Sequence, residues 1–163
     1  MPGILFVCTG NLYRSPLAAA FFRAQLIANS RNTDWVVDSA GTWTQPGQPI
    51  PPETVRAAAK FGADVEGHLS QLISADLLSR FDLVMVMEKG HKEALDLEFP
   101  FASHKTHLIS QVVDHLACDI PDPLNSGQEI DILASDLYKL MERGYQVICE
   151  LAQDASISKS PTR

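Results

Sequence analysis

The sequence predicts an α/β protein with a parallel sheet in a single domain. Apolar, β-prone runs alternate along the 163 residues with segments of helical apolar spacing, and strands alternating with helices form parallel sheets with right-handed crossovers. The strand-like runs are continuously apolar, which is typical of strands buried on both faces. No repeat or linker divides the chain, so residues 1–155 are expected to form one domain and residues 156–163 a disordered tail.

The first half of the chain opens with a strand and a helix. Ser15 suits the cap of that helix and Pro16 its first position, and Gly62 suits the end of a later helix. The predicted elements of this half are a strand at 3–8, a helix at 15–28, a strand at 34–42, a Pro/Gly-rich loop at 44–53 and a helix at 53–62.

The second half continues the alternation and ends in a long amphipathic helix. Its predicted elements are a short helix at 74–81, a strand at 81–88, a helix at 89–99, a fourth strand within 106–113, a loop at 119–129 and a helix at 130–153. Ligands of such sheets bind beyond the carboxyl ends of the strands, which is where the segment after the first strand lies.

Charge and composition narrow the possible functions. The net charge of −7 argues against nucleic acid as a partner. No apolar run is long enough to span a bilayer, and the N-terminal residues do not resemble a signal peptide, so the cytoplasm is the expected location. Cys8, Cys118 and Cys149 form neither a disulfide framework nor a closely spaced zinc set. A lone reactive thiol is the remaining interpretation.

The stretch VCTGNLYRSP, residues 7–16, is the most specific part of the sequence. A loop between a buried strand and a helix N-terminus gathers unpaired backbone amides and the positive end of the helix dipole. Gly10 is expected where a side chain would clash with the turn, and Asn11 tolerates a left-handed conformation. The loop therefore predicts an anion-binding nest.

Three side chains give this nest its chemistry. Arg14 supplies a planar fork that binds two oxyanion oxygens. The same positive surroundings favour the thiolate form of Cys8, which is then a nucleophile for the bound anion. Ser15 is close enough in sequence to reach the sulfur and stabilise it as a leaving group. Each residue alone has an ordinary structural explanation, but the C-x5-R-S pattern between strand and helix favours function.

Attack on phosphorus also requires a proton donor for the leaving oxygen and a base for water. Asp122 is the candidate because it lies in a proline-stiffened acidic loop expected at the same sheet edge. Asp119 is the competing carboxylate, although no proline follows it.

These residues resemble the low-molecular-weight protein tyrosine phosphatase family. The match comprises VCTGNLYRSP, DSAGT at 38–42, GHLSQL at 67–72, FDLVMVME at 81–88 and PDP at 121–123, in the family's order. The resemblance implies three layers, with a four-stranded parallel sheet flanked by helices in a flavodoxin-like winding. It also implies hydrolysis through a phosphocysteine on Cys8, with Arg14 binding phosphate, Asp122 as acid and base, and Ser15 assisting the sulfur.

The resemblance also assigns supporting residues and no metal or organic cofactor. It implies a phosphate loop of Thr9, Gly10, Asn11, Leu12 and Tyr13, a polar network that holds it through Ser39 and His68, and a substrate rim of Trp43, Leu124 and Asn125.

Three departures from the family pattern matter. Tyr13 stands where many members have a second, protective cysteine. Leu124 and Asn125 replace aromatic residues that help form the ring-binding walls, and Trp43 or Tyr13 could supply that contact. Glu88 followed by KGH is closer to bacterial members that act on tyrosine kinases. The expected partner is therefore a phosphotyrosine-bearing protein, such as a bacterial tyrosine kinase.

Other functions and sites remain open at this point. Arginine phosphatases of the family carry threonine where Leu12 stands, so Leu12 favours tyrosine phosphate. Arsenate reduction would need further cysteines within 86–95, and none is there. A non-catalytic phosphate-binding module would predict loss of Cys8, Arg14 or Asp122. His104 and His107 should diverge along a strand and form no metal site, and His91 is predicted on a helix surface.

Overall fold

The predicted parallel sheet is confirmed by a computed structural model, which describes residues 1–31 and 34–158. The four strands are β1 (Gly3–Cys8), β2 (Val36–Gly41), β3 (Leu83–Val86) and β4 (Thr106–Leu108). They lie in the order β2-β1-β3-β4, and all three pairings are parallel. The carboxyl ends therefore meet at one edge, where Cys8 pairs with Gly41.

Helices connect the strands and close the chain. They are α1 (Arg14–Ala28), α2 (Pro52–Ala59), α3 (Ala75–Ser79), α4 (Lys89–Glu98), α5 (Ile109–Asp114), α6 (Pro123–Ser126) and α7 (Ile130–Ser158), with a 3-10 helix at Pro100–Lys105 before β4. No helix among residues 1–31 and 34–158 is long and apolar enough to cross a membrane.

Alternation along the strands creates two apolar cores, one on each face of the sheet. Ile4, Phe6 and Cys8 of β1 point into a core shared with α1, α2, α5 and α7. Leu5 and Val7 point to the opposite face, where the second core includes α3, α4 and the 3-10 helix. The three-layer architecture is therefore as expected, with β1 buried on both faces.

The predicted fourth strand within 106–113 is confirmed as β4, which occupies the first three residues before α5 begins at Ile109. The predicted end of the last helix was wrong. The last helix continues to Ser158, so residues 156–158 are helical rather than a tail. Residues 159–163, the rest of the predicted tail, lie outside the described residues.

Helix α1 begins at Arg14, and Ser15 is not its cap. Tyr13 occupies the cap position and makes no side-chain capping bond. Pro16 lies in the first turn, where backbone N–H groups have no partner within the helix, so its missing donor costs little. This earlier start places Arg14 and Ser15 on the buried side of the first turn, where both are almost fully enclosed.

Candidate active site

Asn11 is the centre of the loop that follows β1. Its φ of 58° confirms the predicted left-handed conformation, and the residue is fully buried. The side-chain amide donates to Ser15 Oγ and Ser39 Oγ, both at 2.9 Å. Its Oδ1 accepts the backbone N–H of Gln71 at 2.9 Å. Because every one of these groups is buried or half-buried, loss of the amide would leave several polar atoms unpaired.

The loop curls around the sulfur of Cys8. The backbone N–H of Asn11 donates to Cys8 Sγ at 3.3 Å, and Ser15 Oγ lies 3.0 Å from the same sulfur. Ser15 Oγ also lies 3.3 Å from the carbonyl oxygen of Ala40. A single hydroxyl proton can therefore point to Ala40 when Cys8 is a thiol and to the sulfur when it is a thiolate.

Arg14 is held inside the protein rather than exposed at a helix start. It is 2% exposed. Its Nη1 donates to Glu88 Oε1 and, at 2.8 Å, to the carbonyl oxygen of Ile120. Its Nη2 donates to Thr9 Oγ1 at 3.3 Å. Both Nη1 protons thus have protein acceptors, whereas Nε has none among the described residues, so the Nε–Nη2 edge is available for an oxyanion.

The Asp122 loop reaches the same site, as predicted. Asp122 Oδ2 lies 3.4 Å from Arg14 Nη2, and its carboxylate is 17% exposed. Asp122 also caps α6, because Oδ1 accepts the N–H of Leu124 at 3.0 Å. The competing Asp119 accepts the N–H of Lys89 at 2.8 Å and so serves the start of α4. Of these two carboxylates, only Asp122 forms an ion pair with Arg14.

The two supporting residues that the family resemblance implies, Ser39 and His68, both contact Asn11. Ser39 accepts from Asn11, and His68 Nε2 lies 3.2 Å from both the backbone oxygen and Oδ1 of Asn11. Both partners can only accept, so Nε2 carries the proton. Burial lowers the pKa of His68 below 6.5, partly offset by the hydrogen bond to Asn11. A neutral His68 therefore supports the loop through Asn11.

The prediction for Gly10 was wrong, and a different glycine has the crowded position. A Cβ on Gly10 would meet no atom within 4 Å, and its φ is not left-handed. A Cβ on Gly41 would lie 2.5 Å from the carbonyl oxygen of Thr9. The close approach that requires glycine is therefore made by the end of β2, and it lets the loop pack against that strand.

The predicted rim is only partly assembled around the loop. Leu12, Tyr13 and Leu124 line a small pocket of about 40 Å³ together with Cys8 and Asp122. The other rim residues lie outside this lining: Trp43 is 83% exposed, and Asn125 Nδ2 donates to Asp122 Oδ2 at 3.5 Å.

Tyr13 lines the pocket and has a raised pKa. Burial raises the pKa of Tyr13, and the charges of Glu53 and Asp122 raise it further. The phenol therefore stays neutral and presents a mainly apolar wall to the pocket.

Two site residues were missed or undervalued from the sequence. His91 is 5% exposed rather than on the helix surface, and its Nε2 lies 2.8 Å from Thr9 Oγ1. Glu88, noted above only as a family variation, binds Arg14. Glu88 and His91 form the two halves of a capping box at the start of α4, and their spacing of three residues was the available signal.

A candidate metal centre is absent from the described part of the chain, where no three histidine, cysteine, aspartate or glutamate side chains cluster suitably. The positive charge and the hydrogen-bond donors at this site instead suit an anion. Arg14, the curled backbone and the start of α1 supply them without a metal ligand set.

The fold and site define a class of protein in which a loop between a central parallel strand and a helix curls around a cysteine sulfur, with an arginine and an aspartate beside it. Comparison with known families identifies the class further. The model of the low molecular weight phosphotyrosine protein phosphatase family matches residues 3–157. The chain belongs to this family.

Known members resemble the chain over most of its length. The low molecular weight protein-tyrosine-phosphatase Wzb of Escherichia coli strain K12 is 32% identical over 140 residues, which are 86% of this chain and 88% of that protein. A structure of Vibrio vulnificus Wzb with benzylphosphonate is 33% identical, with a TM-score of 0.75 and coverage of 91% and 97%. The YwlE arginine phosphatase from Geobacillus stearothermophilus is 28% identical, with a TM-score of 0.78 and full coverage of both chains.

Proposed function

We propose that this chain is a protein tyrosine phosphatase that hydrolyses phosphotyrosine monoesters through a phosphocysteine on Cys8. The observation that carries the proposal is the surrounding of Cys8 Sγ. It accepts a backbone N–H, lies 3.0 Å from Ser15 Oγ, and faces the same pocket as Arg14 and Asp122. A nucleophile, an oxyanion clamp and a carboxyl group thus converge on one pocket.

The first step transfers the phosphoryl group to sulfur. The Cys8 thiolate attacks phosphorus, the P–S bond forms and the P–O bond to the phenol breaks. Asp122 in its acid form gives its proton to the departing phenolate. Arg14 binds equatorial oxygens through its Nε–Nη2 edge and stabilises the charge that develops on them.

The second step returns the enzyme to its starting state. Asp122, now a carboxylate, takes a proton from the attacking water, and the P–S bond breaks to release inorganic phosphate. The hydroxyl proton of Ser15 turns from the Ala40 carbonyl to the sulfur and stabilises the leaving thiolate. The 3.0 Å and 3.3 Å contacts of Ser15 Oγ support both orientations.

The substrate is a phosphotyrosine-bearing protein, and a bacterial tyrosine kinase is the candidate. Leu12, Tyr13 and Leu124 form an apolar rim around the pocket, which suits a phenyl ring. Relatives named as protein-tyrosine-phosphatases, including Wzb, support the same substrate class. The reaction is placed in the cytoplasm, where a reducing environment keeps a catalytic thiol such as Cys8 free.

Hydrolysis of an aryl phosphate tests the proposal. The parent protein should turn over p-nitrophenyl phosphate, and acid quenching during turnover should trap a phosphoryl group on Cys8, detected by mass spectrometry. Cys8→Ser should lose at least about 10⁴-fold in kcat, because no thiolate is left to attack. Cys118→Ser, which changes an exposed thiol, is the matched control. Absence of turnover in the parent, or full activity in Cys8→Ser, would refute the proposal.

Arginine phosphatase activity is the second candidate, and the full-length structural likeness to YwlE favours it. Leu12 opposes it, since its apolar side chain lines the pocket and offers no hydrogen bond to a guanidinium. Matched phosphotyrosine and phosphoarginine peptides separate the two activities. The tyrosine assignment predicts the higher kcat/KM for phosphotyrosine, and Leu12→Thr should narrow the difference. A protein that binds both peptides without hydrolysis would instead be a non-catalytic module.

A further inference from the structure

His91 belongs to α4, yet its side chain contacts Thr9 of the phosphate loop. It is 5% exposed. Its Nδ1 lies 3.1 Å from the backbone nitrogen of Glu88, and its Nε2 lies 2.8 Å from Thr9 Oγ1. The ring therefore links the start of α4 to the residue that follows Cys8.

The two contacts determine which nitrogen carries the proton. The backbone N–H of Glu88 can only donate, so Nδ1 accepts and is unprotonated. A neutral ring then carries its proton on Nε2 and donates it to the Thr9 hydroxyl. Burial lowers the pKa of His91, opposed by Glu88 and reinforced by Arg14, which favours this neutral form. The other charged groups that influence the ring are Asp119 and Asp122.

Thr9 connects this ring to the arginine of the site. Thr9 Oγ1 receives His91 Nε2 on one side and Arg14 Nη2, at 3.3 Å, on the other. The hydroxyl has two lone pairs, and the two donors occupy both. The direction from which His91 Nε2 donates thus determines the direction of the other lone pair of Thr9 Oγ1. That lone pair accepts from Arg14 Nη2 and orients it.

We propose that His91 is a positioning residue that acts on Arg14 through the Thr9 hydroxyl, with the Glu88 cap holding its ring in the required tautomer. This inference rests on the proposed function of the loop. Nη2 belongs to the edge of Arg14 that remains available for phosphate oxygens, so a small rotation of the guanidinium weakens the grip on phosphate.

The variant His91→Asn isolates the contact. Asparagine keeps an oxygen near the position of Nδ1, so it can still accept the Glu88 N–H, but it is too short to reach Thr9. The dissociation constant for inorganic phosphate, measured by calorimetry, should rise about tenfold, as expected for the loss of one charge-linked hydrogen bond. For an aryl phosphate, kcat/KM should fall by a similar factor.

A double-mutant cycle tests the route through Thr9. Thr9→Val removes the hydroxyl with little change of shape. In that background His91→Asn should cause no further loss of phosphate affinity, because the ring no longer has a hydroxyl to orient. Losses that add independently in the double variant would overturn the proposal.

Ser74→Ala is the matched stability control. Ser74 caps α3, away from the pocket, so its loss should lower the melting temperature and leave phosphate affinity unchanged. If His91→Asn likewise lowers only the melting temperature, His91 is merely structural and the proposal fails. Phosphate affinity does not depend on turnover, so a parent that binds phosphate without hydrolysis would contradict the proposed function alone.

Discussion

The two loops that form the site are held in different ways. The phosphate loop, residues 8–15, is held by buried side chains: Asn11, Arg14 and Ser15 are all at most 2% exposed. The acid loop, residues 119–126, includes α6, which has no buried residue. The loop is attached through the backbone of Ile120, which donates to Met87 and accepts from Arg14, and through Asp119, which accepts the N–H of Lys89.

This difference separates two demands of the chemistry. The groups that grip phosphate must be in place before it arrives, and a buried hydrogen-bond network provides that rigidity. The carboxyl group must accept and release protons and face water, which a more exposed loop allows. Substitutions in the first loop should therefore affect stability strongly as well as activity, whereas those in the second should affect activity with a much smaller change in stability.

After Cys8→Ser, the largest effect is expected for Arg14→Lys. Lysine keeps the charge but cannot bind Glu88, Ile120 and a phosphate at once, so kcat/KM should fall about 10³-fold. Steady-state kinetics on an aryl phosphate measures the loss. Arg143→Lys is the matched control, since Arg143 pairs with Asp114 at a half-exposed site elsewhere. A loss in kcat/KM of less than about tenfold for Arg14→Lys would show that the reaction does not require a planar guanidinium at this position.

A pair of asparagines, one from each loop, sharpens the comparison. Asn11→Ala should cost about 3 kcal/mol of unfolding free energy, because a left-handed alanine is strained and several buried partners lose their bonds. Asn125→Ala, in the exposed α6, should change it by less than about 0.5 kcal/mol. Urea denaturation measures both. Equal losses of unfolding free energy in the two variants would show that side-chain contacts stabilise both loops to the same extent.

Asp122→Ala tests the acid loop without altering the fold. With a poor leaving group such as an alkyl phosphate, kcat should fall about 10²-fold, because no acid protonates the departing oxygen. With p-nitrophenyl phosphate the loss should be smaller, and the unfolding free energy should change by only about 1 kcal/mol from the lost α6 cap. Equal losses for both substrates would exclude Asp122 as the acid.

The smallest expected effect is the change in unfolding free energy with pH. Burial lowers the pKa values of His68, His91 and His107 below 6.5. Below pH 6.5 the unfolded chain therefore binds protons that the folded chain does not, and stability falls until the folded pKa is reached. Each histidine contributes at most about 1.4 kcal/mol per pH unit. The unfolding free energy, measured by urea denaturation at several pH values between 7.5 and 5, should fall less steeply with pH in His68→Gln than in the parent. An unchanged dependence on pH would contradict this account.

Local patterns in the sequence were sufficient for the phosphate loop. The C-x5-R-S spacing, the β-prone run before it and the apolar spacing after it predicted the position of the loop, and Asn11 was correctly expected to be left-handed. The alternation of strand and helix predicted the parallel sheet. Each of these signals lies within a few consecutive residues, which is the range over which backbone sterics and side-chain periodicity act.

Contacts between distant segments could not be predicted in this way. His91 looked like a surface residue because its neighbours in α4 are charged, and only the pairing of β1 with β3 brings Thr9 over it. The fourth strand was expected within 106–113, but its bounds could not be predicted, since β4 has only three residues before α5 begins. Gly10 was chosen because it lies in the motif, whereas the crowding occurs at Gly41 on a different strand.

The close contact at Gly41 limits which substitutions this sequence can accept. Every amino-acid replacement there adds a Cβ 2.5 Å from the Thr9 carbonyl oxygen. That oxygen cannot easily retreat, because it accepts the N–H of Trp43 at 3.1 Å. A residue that does not line the pocket therefore accepts no side chain unless the backbone shifts. Gly10, inside the signature itself, meets no protein atom within 4 Å, so the motif alone does not reveal this steric requirement.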